Sequence, residues 1–145
     1  MNFASILIGV ISLFTFTSAG PVNVSRCEGF GTPIETRISD CDGYCTFIPG
    51  RVYNAEQDFM PSAATPSLTL KVEICMSAGF CMQIFEVELP GSSVQPGFVY
   101  TSKYSVVPND ILAGQTVQMR AQISHTDTRR VDVCIYCDVD IAALK

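Results

Sequence analysis

At 145 residues the chain is sized for a single domain. Its net charge of −5, with Lys and Arg scattered, excludes a nucleic-acid partner, which needs a basic face. Seven cysteines beside one histidine point to disulfides in an oxidising compartment and away from a metal site.

The first predicted element is a leader. Residues 6–16 are an apolar run, and Thr17-Ser18-Ala19 offers small residues for cleavage. The run falls short of the roughly 20 apolar residues that span a bilayer. Residues 1–19 therefore read as a signal peptide and residues 20–145 as the mature domain, secreted or resident in the lysosomal lumen. Asn23-Val24-Ser25 is a glycosylation sequon, with Asn23 as the acceptor.

Past the leader come short alternating runs. Ile34 and Ile38 flank Glu35 and Arg37. Tyr53, Ala55 and Phe59 alternate with Asn54, Glu56 and Asp58, leaving Gln57 as a polar exception. Leu68, Leu70, Val72 and Ile74 alternate with Thr69, Lys71 and Glu73. Phe85, Val87 and Leu89 alternate with Glu86 and Glu88. Phe98, Tyr100, Tyr104 and Val106 share a parity. Val117, Met119, Ala121 and Ile123 alternate with Gln118, Arg120 and Gln122. Val131, Val133, Ile135, Val139 and Ile141 alternate with Asp132, Asp138 and Asp140. Successive side chains of a strand point to opposite faces, so each run has one oily and one wet side. Clusters of Gly, Pro, Asn and Asp separate the runs, and none keeps a helical period over three turns. The prediction is all-β: an immunoglobulin-like sandwich of about seven antiparallel strands.

The cysteines fall on this pattern. Cys134 takes the wet parity of the last strand and can reach Cys27 in the irregular N-terminal stretch. Closing a loop of about 100 residues stabilises a fold by roughly 4–5 kcal/mol in the chain-entropy model. Cys137 takes the oily parity and reads as a small buried hydrophobe. Cys41 and Cys45 are close enough to staple one loop. Cys75 and Cys81 flank the Ser77-Ala78-Gly79 turn, where two signals conflict. A three-residue turn sets them opposite each other, whereas the alternation from Ile74 to Phe85 favours a register shifted by one. A bridge with a bulge at Gly79 reconciles the two.

Catalytic chemistry is hard to place. His125 sits in a Thr- and Asp-rich turn and reads as a solvated loop residue, and Asp138 and Asp140 read as solvated on an outer face. No Ser-His-Asp set, phosphate loop or paired carboxylates in an apolar setting can be named, so neither an enzyme nor a cofactor is expected.

Four features together resemble the MD-2-related lipid-recognition domain, in particular the Niemann–Pick type C2 sterol carriers and the group 2 mite allergens. Cys27 follows closely on the leader. A strand ends in the Cys41-x3-Cys45 loop, followed by Pro49-Gly50 and the run from Tyr53. Pro96-Gly97-Phe98-Val99-Tyr100-Thr101 leads to Val106-Val107-Pro108. Val117-Gln118-Met119-Arg120-Ala121-Gln122 precedes Cys134 and Val139-Asp140-Ile141. The resemblance spans nearly all of the mature chain. It implies a seven-stranded sandwich with a hydrophobic cavity and three bridges: Cys27–Cys134, Cys41–Cys45 and Cys75–Cys81. One departure concerns the third pair, which in the family usually lies after the hairpin, where residues 91–97 here hold no cysteine.

The resemblance also implies a secreted carrier that binds a sterol, fatty acid or other lipid, as a monomer with a transient membrane or lipid-transfer partner. The lipid-lining residues expected on the oily faces are Phe59, Phe85, Val87, Tyr100, Tyr104, Val106, Val107, Ile111, Leu112, Met119 and Ile123. Phe85 and Val106-Val107 sit where the family places the entrance and wall. The alternatives are a lipid-sensing immune-recognition module, a semiochemical-binding module, or a ligand-free immunoglobulin-like interaction domain.

Overall fold

The computed structural model describes residues 19–145, so the expected leader lies outside the described residues apart from Ala19. Ten strands follow: β1 (Ala19–Pro21), β2 (Ser25–Arg26), β3 (Thr32–Ser39), β4 (Cys45–Phe47), β5 (Tyr53–Met60), β6 (Leu68–Cys75), β7 (Cys81–Glu88), β8 (Tyr100–Val106), β9 (Thr116–His125) and β10 (Val131–Ile141). One short 3-10 helix, Asp110–Leu112, joins β8 to β9. The seven long strands are those the alternation predicts; β1, β2 and β4 have two or three residues each.

One sheet runs β1-β3-β5-β8 and the other β2-β10-β9-β6-β7, with β4 also beside β10. All pairings between strands are antiparallel except β4 with β10. β4 leaves β3 in the opposite sheet and arrives by crossing over rather than through a hairpin, which frees it to run parallel. The core lies between the sheets. Ile38, Tyr53, Ala55 and Phe59 face Leu70, Val72, Met119, Ile123, Ile135 and Val139, all buried. Gln57 breaks the polarity of this inner face; it is buried and accepts a hydrogen bond from the Thr36 hydroxyl.

Three strands each carry one extra residue, and each shifts the register by one. In β3, Pro33 pairs with Phe59 and Glu35 with Asp58, so Ile34 has no partner and turns outward. In β7, Val72 pairs with Phe85 and Glu73 with Gln83, so Ile84 bulges. That bulge, not Gly79, resolves the conflict at the hairpin. Cys75 stands opposite Cys81 and is bonded to it, while Phe85 still faces inward. Gly79 instead supplies the turn, with φ 89°. In β10 the extra residue is Asp132, between Val131 opposite Ser124 and Val133 opposite Ile123.

The bulge carries Asp132 off the wet face and buries it completely. Its carboxylate accepts from the Ser62 backbone N–H at 3.2 Å and the Ser62 hydroxyl at 2.5 Å. His125 is not a solvated loop residue: it ends β9, is 5% exposed, and places Nε2 3.6 Å from Asp132 Oδ1. The segment before β3 passes tightly over this point, where a Cβ on Gly31 would lie 2.9 Å from the Asp132 carbonyl oxygen.

Cys27–Cys134 ties that N-terminal segment to β10, and Cys134 is fully buried beneath it. Cys41–Cys45 closes its own loop, whose Tyr44 hydroxyl donates to Asp140 at 2.9 Å. Cys137 is free and buried among the inward residues. On the outer face of the four-stranded sheet, Arg37 donates to both carboxylate oxygens of Asp58, at 2.7 and 2.9 Å, and to Glu56 at 3.2 Å. Charge-assisted pairs of this fork geometry are the stronger kind.

Removing the buried acceptor leaves the Ser62 N–H and hydroxyl without it and opens a void beside His125, so Asp132→Ala is expected to cost about 2–4 kcal/mol in urea unfolding. A loss below the error of the measurement would show the carboxylate to be dispensable. The Arg37 guanidinium, helped by the Thr101 hydroxyl, holds the Asp58 carboxyl down from 3.8 to about 2. Its stabilisation is therefore full above pH about 4 and fades as the pH falls toward 2. The stability gap between the wild type and Asp58→Asn should shrink over that same window in denaturant titrations.

Candidate functional site

β7 and β8 are the free edges of their respective sheets. They lie near each other, with the Phe85 and Tyr104 rings meeting edge to face at 6.2 Å. Two cavities are lined by residues of this margin, one by Met82, Ile84 and Val106, the other by Tyr100 and Ser102.

The first, of about 210 Å³, lies toward the 3-10 helix. Val72 and Ile74 of β6, Met82 and Ile84 of β7, and Val106, Val107 and Pro108 wall it; Phe47, Leu112, Met119 and Ile141 complete it. Local sequence accounts for its shape. Asn109 caps the 3-10 helix, its side chain accepting from the Ile111 N–H at 3.0 Å. The cap turns Leu112 into the core and leaves Ile111 75% exposed on the rim. Asn109 is the sole polar residue of the lining, and its oxygen is occupied by that cap.

The second cavity, of about 400 Å³, lies under residues 90–94. Phe59, Leu68, Leu89, Val94 and Tyr100 give it an apolar wall, Ser102 belongs to it, and it opens to solvent past Ser93, Thr101 and Lys103. Hydrogen bonds secure this loop. Val94 and Thr65 exchange backbone bonds at 3.0 and 3.1 Å, and the Ser92 hydroxyl accepts from Leu68 N–H at 2.8 Å.

The expected lining residues divide accordingly. Val106, Val107, Ile111, Leu112 and Met119 meet at the first cavity; Phe59 and Tyr100 meet at the second. Phe85 and Tyr104 stand between. Val87 and Ile123 are not brought in: Val87 is 45% exposed on the edge strand and Ile123 is packed in the closed core. Val72, Ile74 and Leu89 line the cavities as well; parity marks them as inward, but they stand outside the expected lining set. Phe47 gave no signal, because β4 has only three residues.

Ser62, His125 and Asp132 do gather, although no such set was predicted. The serine hydroxyl bonds the carboxylate rather than the imidazole, and Asp132 has no exposed surface. A nucleophile needs a base at its own hydroxyl and room for a substrate, so this geometry serves as a clamp. Glu73, Cys75 and Cys81 also lie together, but both sulfurs are committed to a bridge. Asn23 is exposed.

No protein-family model and no curated protein matches the sequence. Solved structures do. A Niemann-Pick type C2 protein from Japanese carpenter ant superposes with a TM-score of 0.70 at 13% identity, over 82% of this chain and 98% of that one. The C-terminal domain of wzt gives 0.63 at 13% identity, over 85% of this chain and 79% of that one. Chicken MD-1 complexed with lipid IVa matches loosely, at 0.43 with 10% identity, over 75% of this chain and 95% of that one. The chain is thus an immunoglobulin-like β-sandwich. Its fold is the one seen in the Niemann-Pick type C2 protein on which it superposes.

Burial pushes the Cys137 thiol up to about 11, with Asp138 adding to the shift. Only the thiolate is a good nucleophile, so Cys137 should be inert in the folded protein. A disulfide-exchange reagent at mildly alkaline pH is expected to find no fast-reacting thiol in the native protein. In concentrated guanidinium it should find one per chain.

Proposed function

We propose that this chain is a secreted carrier that holds a small lipid, a sterol or fatty acid, between its two sheets. One observation carries the reading. The sheets part along the β7–β8 margin around a space walled by hydrocarbon, where an ordinary sandwich closes. The resemblance to the sterol carriers and the shared fold agree with it. The fold alone names no ligand, since the C-terminal domain of wzt superposes nearly as well. The leader pattern and three disulfides support secretion, and the exposed Asn23 supports a glycan there.

Size constrains how the lipid sits. The cavity of about 210 Å³ is smaller than the roughly 300–1,000 Å³ usual for ligand pockets. A whole lipid therefore extends past the Phe85–Tyr104 contact toward the larger cavity, and the two rings move aside to admit it. That movement breaks no backbone ladder, because β7 and β8 do not pair with each other. Burying a sterol removes about 500 Å² of apolar surface, a gross gain on the order of 10 kcal/mol before the cost of association. Exposed Ile84, Val107 and Ile111 rim the opening with further apolar surface.

Native mass spectrometry of protein recovered from a secreting host should show a bound lipid, which organic solvent extracts. Phe85→Ala is expected to weaken displacement of a fluorescent sterol about tenfold while costing only about 1–2 kcal/mol of stability, since Phe85 is half-buried. Protein that arrives empty and takes up neither sterol nor fatty acid would favour the interaction-domain alternative and end the carrier reading.

A further inference from the structure

The inner face of β8 presents Tyr100, Ser102, Tyr104 and Val106 toward the opposite sheet. Two of these bring hydroxyls into a hydrocarbon interior, and neither is hydrogen-bonded. Ser102 is 5% exposed, and its Oγ is sealed from water with no partner. The Tyr104 hydroxyl, two residues on, is equally sealed and equally alone. Neighbouring groups do not relieve them. Gln57, opposite Ser102, spends its side chain on Thr36 and on the Asp58 carbonyl. The other inward tyrosine of this strand, Tyr100, does have a partner, accepting from the Gln95 N–H at 3.0 Å. The buried Cys137 thiol acts on the Tyr104 hydroxyl through its charge alone and makes no hydrogen bond with it.

A folded core rarely leaves one buried hydroxyl unsatisfied, and each such group calls for a reason. Here two occur on one strand face. Ser102 belongs to the wall of the 400 Å³ cavity, and Tyr104 lies on the same strand face between it and Val106, which walls the apolar one. A pure hydrocarbon filling this space would leave both hydroxyls as they are.

We propose that the lipid this interior takes is one that buries a hydroxyl or carbonyl oxygen, with the Ser102 and Tyr104 hydroxyls as its hydrogen-bond partners. This rests on the carrier reading and narrows it. The selected class is lipids oxygenated away from their solvent-facing end, such as side-chain-hydroxylated sterols or hydroxy fatty acids. Either hydroxyl can donate or accept, so alcohols and ketones both fit. Selectivity follows from the bonds gained, because an oxygenated lipid pairs hydroxyls that a plain chain leaves as unpaired as they are in the empty protein.

The test uses two matched pairs of probes: cholesterol with 25-hydroxycholesterol, and palmitate with 16-hydroxypalmitate. Each competes against a fluorescent sterol on the whole mature chain. In the wild type the hydroxylated member of at least one pair is expected to bind tenfold or more tightly than its plain partner. Ser102→Ala and Tyr104→Phe should each reduce that ratio toward one and leave the plain member within about threefold of its wild-type affinity. A second readout needs no ligand. Deleting an unsatisfied hydroxyl removes a desolvation penalty, so the melting temperature of each empty variant should equal or exceed that of the wild type. A marked fall would mean the hydroxyl has a protein or water partner, and would overturn the proposal. Equal affinity within both pairs would overturn it too, while leaving the carrier reading intact. Failure of all four probes to bind would end both.

Discussion

Each strand of this sandwich must keep one oily face over its whole length, and the fold depends on how that requirement is met where the two-residue period fails. In β7 the residues that must face inward, Met82 and Phe85, are three apart. Without an extra residue between them one would point to solvent. The bulge at Ile84 supplies it, and the Cys75–Cys81 bridge, the inward Phe85 and the cavity wall all follow. At Asp132 the same device does the opposite, bringing a charged side chain inside. The price is a buried carboxylate, met by Ser62 and by the closeness of His125.

That economy explains what could be read before any coordinates. Alternation alone located the seven long strands and the sandwich, because seven consecutive segments obey it. It failed where one residue is inserted, since an insertion leaves no mark on composition. Ile34 was placed inside and lies out; Asp132 was placed outside and lies in; the bulge placed at Gly79 lies five residues on, at Ile84. His125 was misjudged for a related reason. The Thr- and Asp-rich stretch beside it does form the turn, but β9 runs two residues past Ile123, the last of its oily pattern, and takes the histidine into the interior. Phe98 shares the parity of Tyr100 yet precedes the strand and is exposed.

The cavity was legible only in part. Parity says which residues face inward, not where facing residues fail to meet. Val106, Met119 and Leu112 gather because the sheets part at β7 and β8, a property of which strands become edges, and edge position depends on pairing order rather than on local pattern. Val87 shows the limit: its parity is inward, but at the margin there is nothing opposite to cover it. Ser102 shows the converse. It carries the inward parity of Tyr100 and Tyr104, and a polar residue in that set was visible all along.

The bond between Cys27 and Cys134 joins residues 107 apart and so makes a closed ring of most of the molecule. Connections at residues 61–67, 90–99 and 126–130 all lie inside it. A protease that severs any one of them opens the loop without releasing a fragment, because both pieces stay joined through sulfur. A damaged molecule of this kind would keep its mass, apart from the water of hydrolysis. The wound would become visible only on reduction.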